Sequence, residues 1–153
     1  MRLTTRRLTE TAGWIGVGVG AAHTVLATIG SPVSWREIVS EGWWHTFTLT
    51  ATTTLAEAQR AESFWFGIGS FGVPLCALGA YTVWAARQDV RVPGWVGGIV
   101  AAWGLALSTA LPASPGWSIP VMGGLLAWAD ARRIRPAGAE VRELFPVTHH
   151  DAP

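Results

Sequence analysis

The sequence predicts an all-α protein, a four-helix transmembrane bundle with an amphipathic surface helix between the first and second spans. Half of the 153 residues are hydrophobic and only 14% are charged, a composition typical of membrane proteins. Four apolar segments follow one another along the chain, without Asp, Glu, Lys or Arg apart from Asp130 at the end of the last one. All eleven arginines and most of the ten tryptophans lie at or beyond the ends of these segments, as membrane-spanning helices require.

The predicted membrane domain covers residues 12–131, between a polar start at 1–11 and a tail at 132–153 predicted to be disordered. Its spans are 12–30, 63–86, 94–111 and 115–131. A bilayer needs about 20 apolar residues per helix, and the last two segments are close to the lower limit. Arginines before an apolar run also occur in signal peptides. The first run is long, rich in glycine and lacks a convincing cleavage site, so we interpret it as an uncleaved span.

The second span belongs to a longer predicted helix, 54–87, around which the chain is organised. Thr54 and Glu57 have the spacing of a capping box at its start. Its glycines at 67, 69 and 72 predict close approach of another helix. Because proline lacks a backbone N–H, Pro74 predicts a kink near the middle of the membrane.

The outer segment, 31–62, contains a predicted amphipathic helix at 35–47. Its apolar residues recur at helical spacing, and it is too short and too charged to span a bilayer. We expect this helix to lie on the membrane surface. The apolar residues are Trp35, Ile38, Val39, Trp43 and Phe47.

The distribution of arginine predicts the orientation. The N-terminus, the turn at 87–91 and the tail hold nine of the eleven arginines. By the positive-inside rule both termini are cytoplasmic in a bacterial plasma membrane, and 31–62 lies outside. The tryptophans agree with this orientation, since they form two sets at the predicted boundaries. The inner set is Trp14, Trp84, Trp95 and Trp128, and the outer set is Trp65 and Trp117.

Small residues at a spacing of four predict how the helices associate. They serve either packing within one chain or association with a second copy or another membrane protein, and the sequence leaves both open. The predicted ridges are Ala12, Gly16 and Gly20 in the first span, Gly94, Gly98, Ala102 and Ala106 in the third, and Gly123, Ala127 and Ala131 in the fourth.

His23 is the strongest candidate for a functional residue, because it is the one ordinarily titratable side chain deep inside a predicted span. With Ser70 and Ser108 it would line a polar pocket open to the outside. The alternative is a neutral packing histidine bonded to Ser70, Ser108 or Thr109.

A second candidate set lies on the predicted surface helix. Glu37, Glu41 and His45 share one face and are weak candidates for a divalent metal site, although a solvated polar face is the commoner meaning. Trp44 lies on the same face, where docking on the turn 57–66, with Arg60 facing the glutamates, would form a lid over the pocket. Trp44, Arg60 and Glu62 are therefore further candidate ligand-binding residues. The single cysteine, Cys76, excludes an intrachain disulfide and a cysteine-based metal site.

Three short motifs carry a resemblance to a known family. Gly20-x-x-His23, Gly42-Trp43 and Arg60-x-x-x-Phe64-Trp65-Phe66 resemble those of an uncharacterised family of small four-helix bacterial integral membrane proteins. The architecture is also loosely similar to that of DoxX-like membrane proteins. The resemblance implies the four-helix topology and draws attention to His23 and Arg60, but it implies no activity.

These observations favour a binding protein that holds a lipophilic small molecule in an outer-leaflet pocket near His23. One alternative is a structural or assembly partner of another membrane protein. The other is a membrane enzyme that uses His23 as acid–base with Glu62 or Arg60 assisting, although we lean against an enzyme. The sequence has no phosphate-binding loop and no basic stripe for nucleic acid, and it identifies no cofactor.

Overall fold

The computed structural model describes residues 2–31, 35–42 and 51–144. Within these ranges the chain is helical and contains no β-strand, so the predicted all-α class is confirmed. The helices are α1 (Arg2–Ile29), α2 (Trp35–Glu41), α3 (Leu55–Phe66), α4 (Gly72–Arg87), α5 (Gly94–Ala110) and α6 (Ser118–Leu144), and a 3-10 turn at Pro115–Trp117 precedes α6.

One of the described helices is long and apolar enough to cross a membrane. It is α1, in which the 26-residue stretch Thr4–Ile29 contains a window of mean hydropathy 1.4. Helix α5 is apolar but shorter than the usual span. Length and composition therefore support one membrane-crossing helix, and the four-span arrangement stays a prediction.

The predicted second span is divided into two helices. Helix α3 ends at Phe66 and α4 begins at Gly72, so the predicted continuous helix 54–87 is wrong. The break contains Gly67 and Gly69. Of all residues, only proline is less favourable than glycine in a helix interior. Pro74 produces no kink within a helix, because it lies in the first turn of α4, where its missing N–H costs no helical hydrogen bond.

The capping box at the start of α3 is present as predicted. The Thr54 side chain accepts from the N–H of Glu57 at 3.2 Å, and the Glu57 carboxylate accepts from the N–H groups of Thr53 at 2.8 Å and Thr54 at 3.2 Å. The Thr53 N–H is the largest cause of a lowered pKa at Glu57, followed by the Thr53 hydroxyl. Because the pKa of Glu57 is lowered, its carboxylate stabilises the cap fully above the ordinary pKa of glutamate. This stabilisation is lost as the pH falls through the lowered pKa.

Two other segments differ in length from their predictions. Of the predicted surface helix 35–47, the structure describes α2 as far as Glu41, and Gly42 follows in the left-handed region at φ +102°. The remainder, including Trp43 and Phe47, lies outside the described residues. The predicted disordered tail begins at 132, whereas α6 continues to Leu144, in a stretch rich in the helix formers Ala, Arg and Glu.

The chain divides into two compact units. Residues 14–80 form one, here called the middle unit, and residues 1–13 with 81–153 form the other, the terminal unit. Helices α1 and α4 therefore each contribute to both units, and α2 and α3 belong to the middle unit.

Helix α4 ends in a Schellman motif in the terminal unit. The N–H of Val90 donates to the Ala85 carbonyl at 2.8 Å, and the N–H of Asp89 donates to the Ala86 carbonyl at 3.4 Å. Asp89 occupies the left-handed position with φ +56°. Aspartate tolerates this conformation better than most residues, and the motif turns the chain sharply toward α5.

Helices α5 and α6 pack against each other through backbone contacts at glycine. A Cβ on Gly97 would lie 2.5 Å from the Gly123 carbonyl oxygen and 2.6 Å from the Ala127 nitrogen, and one on Gly104 would lie 2.6 Å from the Pro120 ring. Larger residues at these positions would force the helices apart. Around these contacts the core is closed by Val100, Ile119, Met122, Leu126 and Ala129, all buried.

The face of α5 that packs against α6 is therefore not the predicted ridge but the face next to it. Gly97, Gly104 and Ser108 are buried, whereas Gly98, Ala102 and Ala106 of the predicted ridge are exposed. The predicted ridge on α1 is correct, since Ala12, Gly16 and Gly20 are buried. On α6 the predicted ridge is correct only in part, since Gly123 is buried and Ala127 is half-buried but Ala131 is exposed. A Cβ on Gly123 would collide with the Ala101 backbone nitrogen.

The adjacent glycines of α6 provide a matched test of this packing. Gly123→Ala is expected to destabilise the protein by about 1 to 3 kcal/mol, because the added methyl overpacks the α5 contact. Gly124→Ala is expected to be neutral or to stabilise by up to about 1 kcal/mol, because nothing lies within 4 Å of its Cβ position and alanine favours helix. Thermal unfolding in mild detergent measures both, and equal effects would contradict the proposed contact.

Candidate ligand site at the break between α3 and α4

The candidate site is built where α1 passes the break between α3 and α4 in the middle unit. The imidazole of His23 stacks on the ring of Phe71, with 4.3 Å between ring centroids and 27° between ring planes. Phe71 is the last residue of the break, and its carbonyl accepts the first hydrogen bond of α4 from Leu75 at 2.9 Å. The break thus determines which aromatic side chain meets His23.

Close approach of the two backbones holds this arrangement together. A Cβ on Gly20 would lie 2.5 Å from the backbone nitrogen of Cys76. A Cβ on Gly72 would collide with the Thr24 hydroxyl and would lie 3.3 Å from Cδ2 of His23. The Thr24 hydroxyl is itself occupied, because it donates to the Gly20 carbonyl at 2.9 Å. The predicted role of these glycines in close approach is realised at Gly20 and Gly72.

His23 Nε2 is buried and has no hydrogen-bond partner within the described part of the chain. Its predicted partners are engaged elsewhere or unpaired. The Ser70 hydroxyl accepts from the N–H of Gly72 at 3.2 Å, and the Thr109 hydroxyl donates to the Leu105 carbonyl at 2.8 Å. Ser108 belongs to the terminal unit, where its own hydroxyl is fully buried and has no partner among the residues that the structure describes. An unsatisfied buried polar group costs about 1 to 3 kcal/mol, so His23 is not explained as a hydrogen-bonded packing residue.

At one end of the site, hydrogen bonds link α2 and α3 to the last turn of α1 and the residue that follows it. Trp35 donates from Nε1 to the Thr28 carbonyl at 3.1 Å. Ser31 donates to Ser63 at 2.5 Å, and Ser63 donates in turn to the Gln59 carbonyl at 2.7 Å. These bonds fix the end of α1 against α3. The Thr28 hydroxyl is a second buried group without a partner in the described residues of this unit.

The remaining predicted site residues are only partly described. Arg60 is half-buried and engaged in an interaction, and Glu62 is exposed. Trp44 and His45 lie outside the described residues, as do the side chains of Glu37 and Glu41 on α2. The predicted lid and the weak metal candidates therefore stay predictions. Among the described residues no group of three or more His, Cys, Asp or Glu side chains is placed to hold a metal ion.

Asp130 is the centre of a second polar cluster, in the terminal unit, which sequence reasoning missed. Its carboxylate accepts from Arg91 Nε at 2.6 Å and Nη2 at 3.0 Å, and from the N–H of Gly94 at 2.8 Å. Asp130 is only 7% exposed, whereas the Arg91 side chain reaches solvent. The hydrogen bond to Asp130 raises the pKa of Arg91. The cluster therefore clamps the start of α5 to α6 with a bidentate ion pair and a helix cap.

Two exposed ion pairs accompany this cluster. Arg133 contacts Asp89 at 3.2 Å, and Arg87 contacts Glu10 at 3.0 Å. Each contributes little to stability because water solvates both partners. The sequence signal for the cluster was a lone aspartate at the end of an apolar run, opposite a turn with two arginines. That signal does not show which arginine is the partner.

The fold and these two clusters define a class of small, all-helical proteins with at least one helix able to cross a membrane by length and composition. Residues 7–133 match a family of unknown function, DUF6463, and the chain belongs to that family. The matched range includes His23 and Asp130. No curated protein and no solved structure matches the chain. The resemblance to an uncharacterised family is thus confirmed, and the similarity to DoxX-like proteins is not.

The Asp130 cluster generates a stability prediction. Asp130→Ala is expected to destabilise the protein by about 2 kcal/mol, because it removes a charged hydrogen-bond acceptor and the cap of α5 together. Arg91→Gln is expected to cost less, since Gly94 keeps its acceptor. Asp89→Asn serves as the control for an exposed pair, with a change below about 1 kcal/mol. Thermal unfolding ranks the three variants, and an Asp130→Ala variant as stable as Asp89→Asn would refute the assignment.

Proposed function

We propose that this chain is a multi-pass membrane protein that binds a lipophilic small molecule at His23. The membrane placement is supported first by α1. Only 22% of its apolar window is buried, whereas the core helix of a soluble protein is mostly buried. Large apolar side chains on other helices are also exposed, among them Phe66 at 61%, Trp95 at 68% and Ile99 at 62%. Surfaces of this kind are covered by lipid or by a partner.

The proposed topology has four spans with both termini in the cytoplasm. The end of α3 from Ser63 onward and α4 together form the second span, 63–86, which the break interrupts. Interrupted helices are tolerated inside membranes where the freed backbone groups find other partners, as the Ser70 hydroxyl provides for Gly72. Arg87, Arg91 and Arg133 then face the cytoplasm, and 31–62 lies outside.

The observation that carries the ligand proposal is that the buried Nε2 of His23 has no hydrogen-bond partner among the described residues. A neutral imidazole offers one donor and one acceptor, so a ligand with a single hydroxyl or carbonyl would satisfy this nitrogen. The Phe71 ring supplies an apolar surface against the imidazole. A ligand that fits is therefore apolar over most of its surface with one group that hydrogen-bonds to His23.

A second candidate function is assembly with another membrane protein. It is favoured by the exposed small residues Gly98, Ala102 and Ala106 on α5, which the contact with α6 leaves uncovered. Nothing lies within 4 Å of the Cβ position of Gly98. An acid–base role of His23 has less support, because in the described residues no carboxylate bonds to Nε2 to orient the ring.

The topology is tested by cysteine labelling in intact cells. In a Cys76→Ala background, Ala51→Cys is expected to react with an impermeant thiol reagent, and Gln88→Cys is expected to react only after the cells are opened. Both positions are exposed, so the difference reports the side of the membrane. The reverse pattern would overturn the proposed orientation. Labelling of both cysteines in intact cells would show that the turn at 87–91 is not in the cytoplasm.

The ligand proposal is tested with His23→Gln. Native mass spectrometry from mild detergent is expected to show a copurifying small molecule on the natural protein and its loss from the variant. Thermal stability is expected to change little, because Nε2 makes no hydrogen bond to the described residues that the substitution would remove.

Thr28→Val is the matched control. It removes from the same helix another buried group that has no partner among the described residues, and it is expected to retain the ligand. Retention of the molecule by His23→Gln, or loss from both variants alike, would count against a site at His23.

A further inference from the structure

We infer that Arg132 and Trp128 form a binding site for the phosphate of an anionic phospholipid. This inference rests on the membrane placement proposed above, but it concerns the terminal unit and not the site at His23. The guanidinium carbon of Arg132 lies over the Trp128 ring, 4.0 Å from its centroid. Both residues lie on α6, one turn apart, where its apolar part gives way to charged residues.

Arg132 differs from three neighbouring arginines, each of which is paired with a carboxylate. Arg87, Arg91 and Arg133 each contact a carboxylate, namely Glu10, Asp130 and Asp89. In the described part of the chain Arg132 contacts no carboxylate, so its positive charge is uncompensated. The ring covers one face of the half-exposed guanidinium. The N–H groups of arginine lie along the edge of its plane, in a geometry that matches a phosphate.

On the side of α6 that faces away from α5, the site extends toward the apolar part of the helix. Trp128 is 49% exposed and Val121 is 54% exposed, and both lie on the side of the helix that faces away from α5. Between them Gly124 has open space at its Cβ position, with nothing within 4 Å. A phosphate at Arg132 would therefore place an acyl chain along a strip formed by Trp128, Gly124 and Val121.

Charge complementarity favours an anionic headgroup over a zwitterionic one. The three compensated arginines contribute no net attraction, whereas Arg132 does. Arg6 and Arg7 of the same unit are also exposed and add positive potential. A headgroup that carries its own ammonium group would offset this attraction, so phosphatidylglycerol is expected to bind more tightly than phosphatidylcholine.

The test titrates the purified full-length protein in mild detergent with each lipid and counts bound lipid by native mass spectrometry. Arg132→Gln is expected to lower the affinity for phosphatidylglycerol about fivefold, the effect of one arginine at an anionic membrane surface. Arg133→Gln changes the net charge equally but removes an arginine paired with Asp89, and it is expected to leave the affinity nearly unchanged. Trp128→Leu keeps every charge and is expected to weaken binding by removing the ring that orients Arg132.

Equal losses in Arg132→Gln and Arg133→Gln would assign the preference to net charge and overturn the site. Unchanged binding in Arg132→Gln would overturn it as well. Failure of the membrane placement is recognised separately, since the natural protein would then remain in solution without detergent and bind neither lipid.

Discussion

In each unit, two helices approach until their backbones touch, and glycine at the contact is what permits it. In the middle unit Gly20 meets Gly72 and Cys76, and in the terminal unit Gly97 meets Gly123. A single added methyl at these points would displace the facing helix. The hydrogen bonds and aromatic contacts described above depend on this spacing. His23 meets Phe71 because α1 and α4 lie this close, and Asp130 reaches the N–H of Gly94 because α5 and α6 do.

The break between α3 and α4 then converts a packing contact into a candidate site. A continuous helix would satisfy its own backbone along this stretch. Here the chain leaves the helix at Gly67, the Ser70 hydroxyl caps Gly72, and Phe71 is turned toward His23. Pro74 restricts where α4 can start, because a proline is tolerated in the first turn and not further along. Glycine and proline therefore determine the geometry that the polar side chains occupy.

Local signals in the sequence were sufficient for features that depend on neighbouring residues. The capping box of Thr54 and Glu57 and the buried face of α1 at Ala12, Gly16 and Gly20 follow from spacing alone. Features that depend on a partner helix were not predictable in this way. On α5 two small-residue faces compete, and the choice of Gly97 and Gly104 over Gly98 and Ala102 is decided by what α6 presents, with Gly123 opposite Gly97. The pairing of Asp130 with Arg91 depends on the same register. Similarly, His23 was identifiable as unusual, but its stacking on Phe71 required the break.

The three buried side-chain groups that lack a partner among the described residues are not equivalent, and the difference bears on His23. Thr28 and Ser108 carry hydroxyls, which in a helix can turn to donate to the carbonyl four residues earlier. Thr9, Thr24, Ser63 and Thr109 of this chain make that bond. A rotation of the side chain is therefore enough to satisfy Thr28 or Ser108. The imidazole of His23 is held by Phe71 on one face, and its Nε2 lies too far along the side chain for such a local bond. A buried nitrogen that cannot bond to its own helix keeps its desolvation penalty unless another molecule supplies a hydrogen-bond partner. A ligand that supplies this partner removes the penalty, and the free energy recovered adds to its binding.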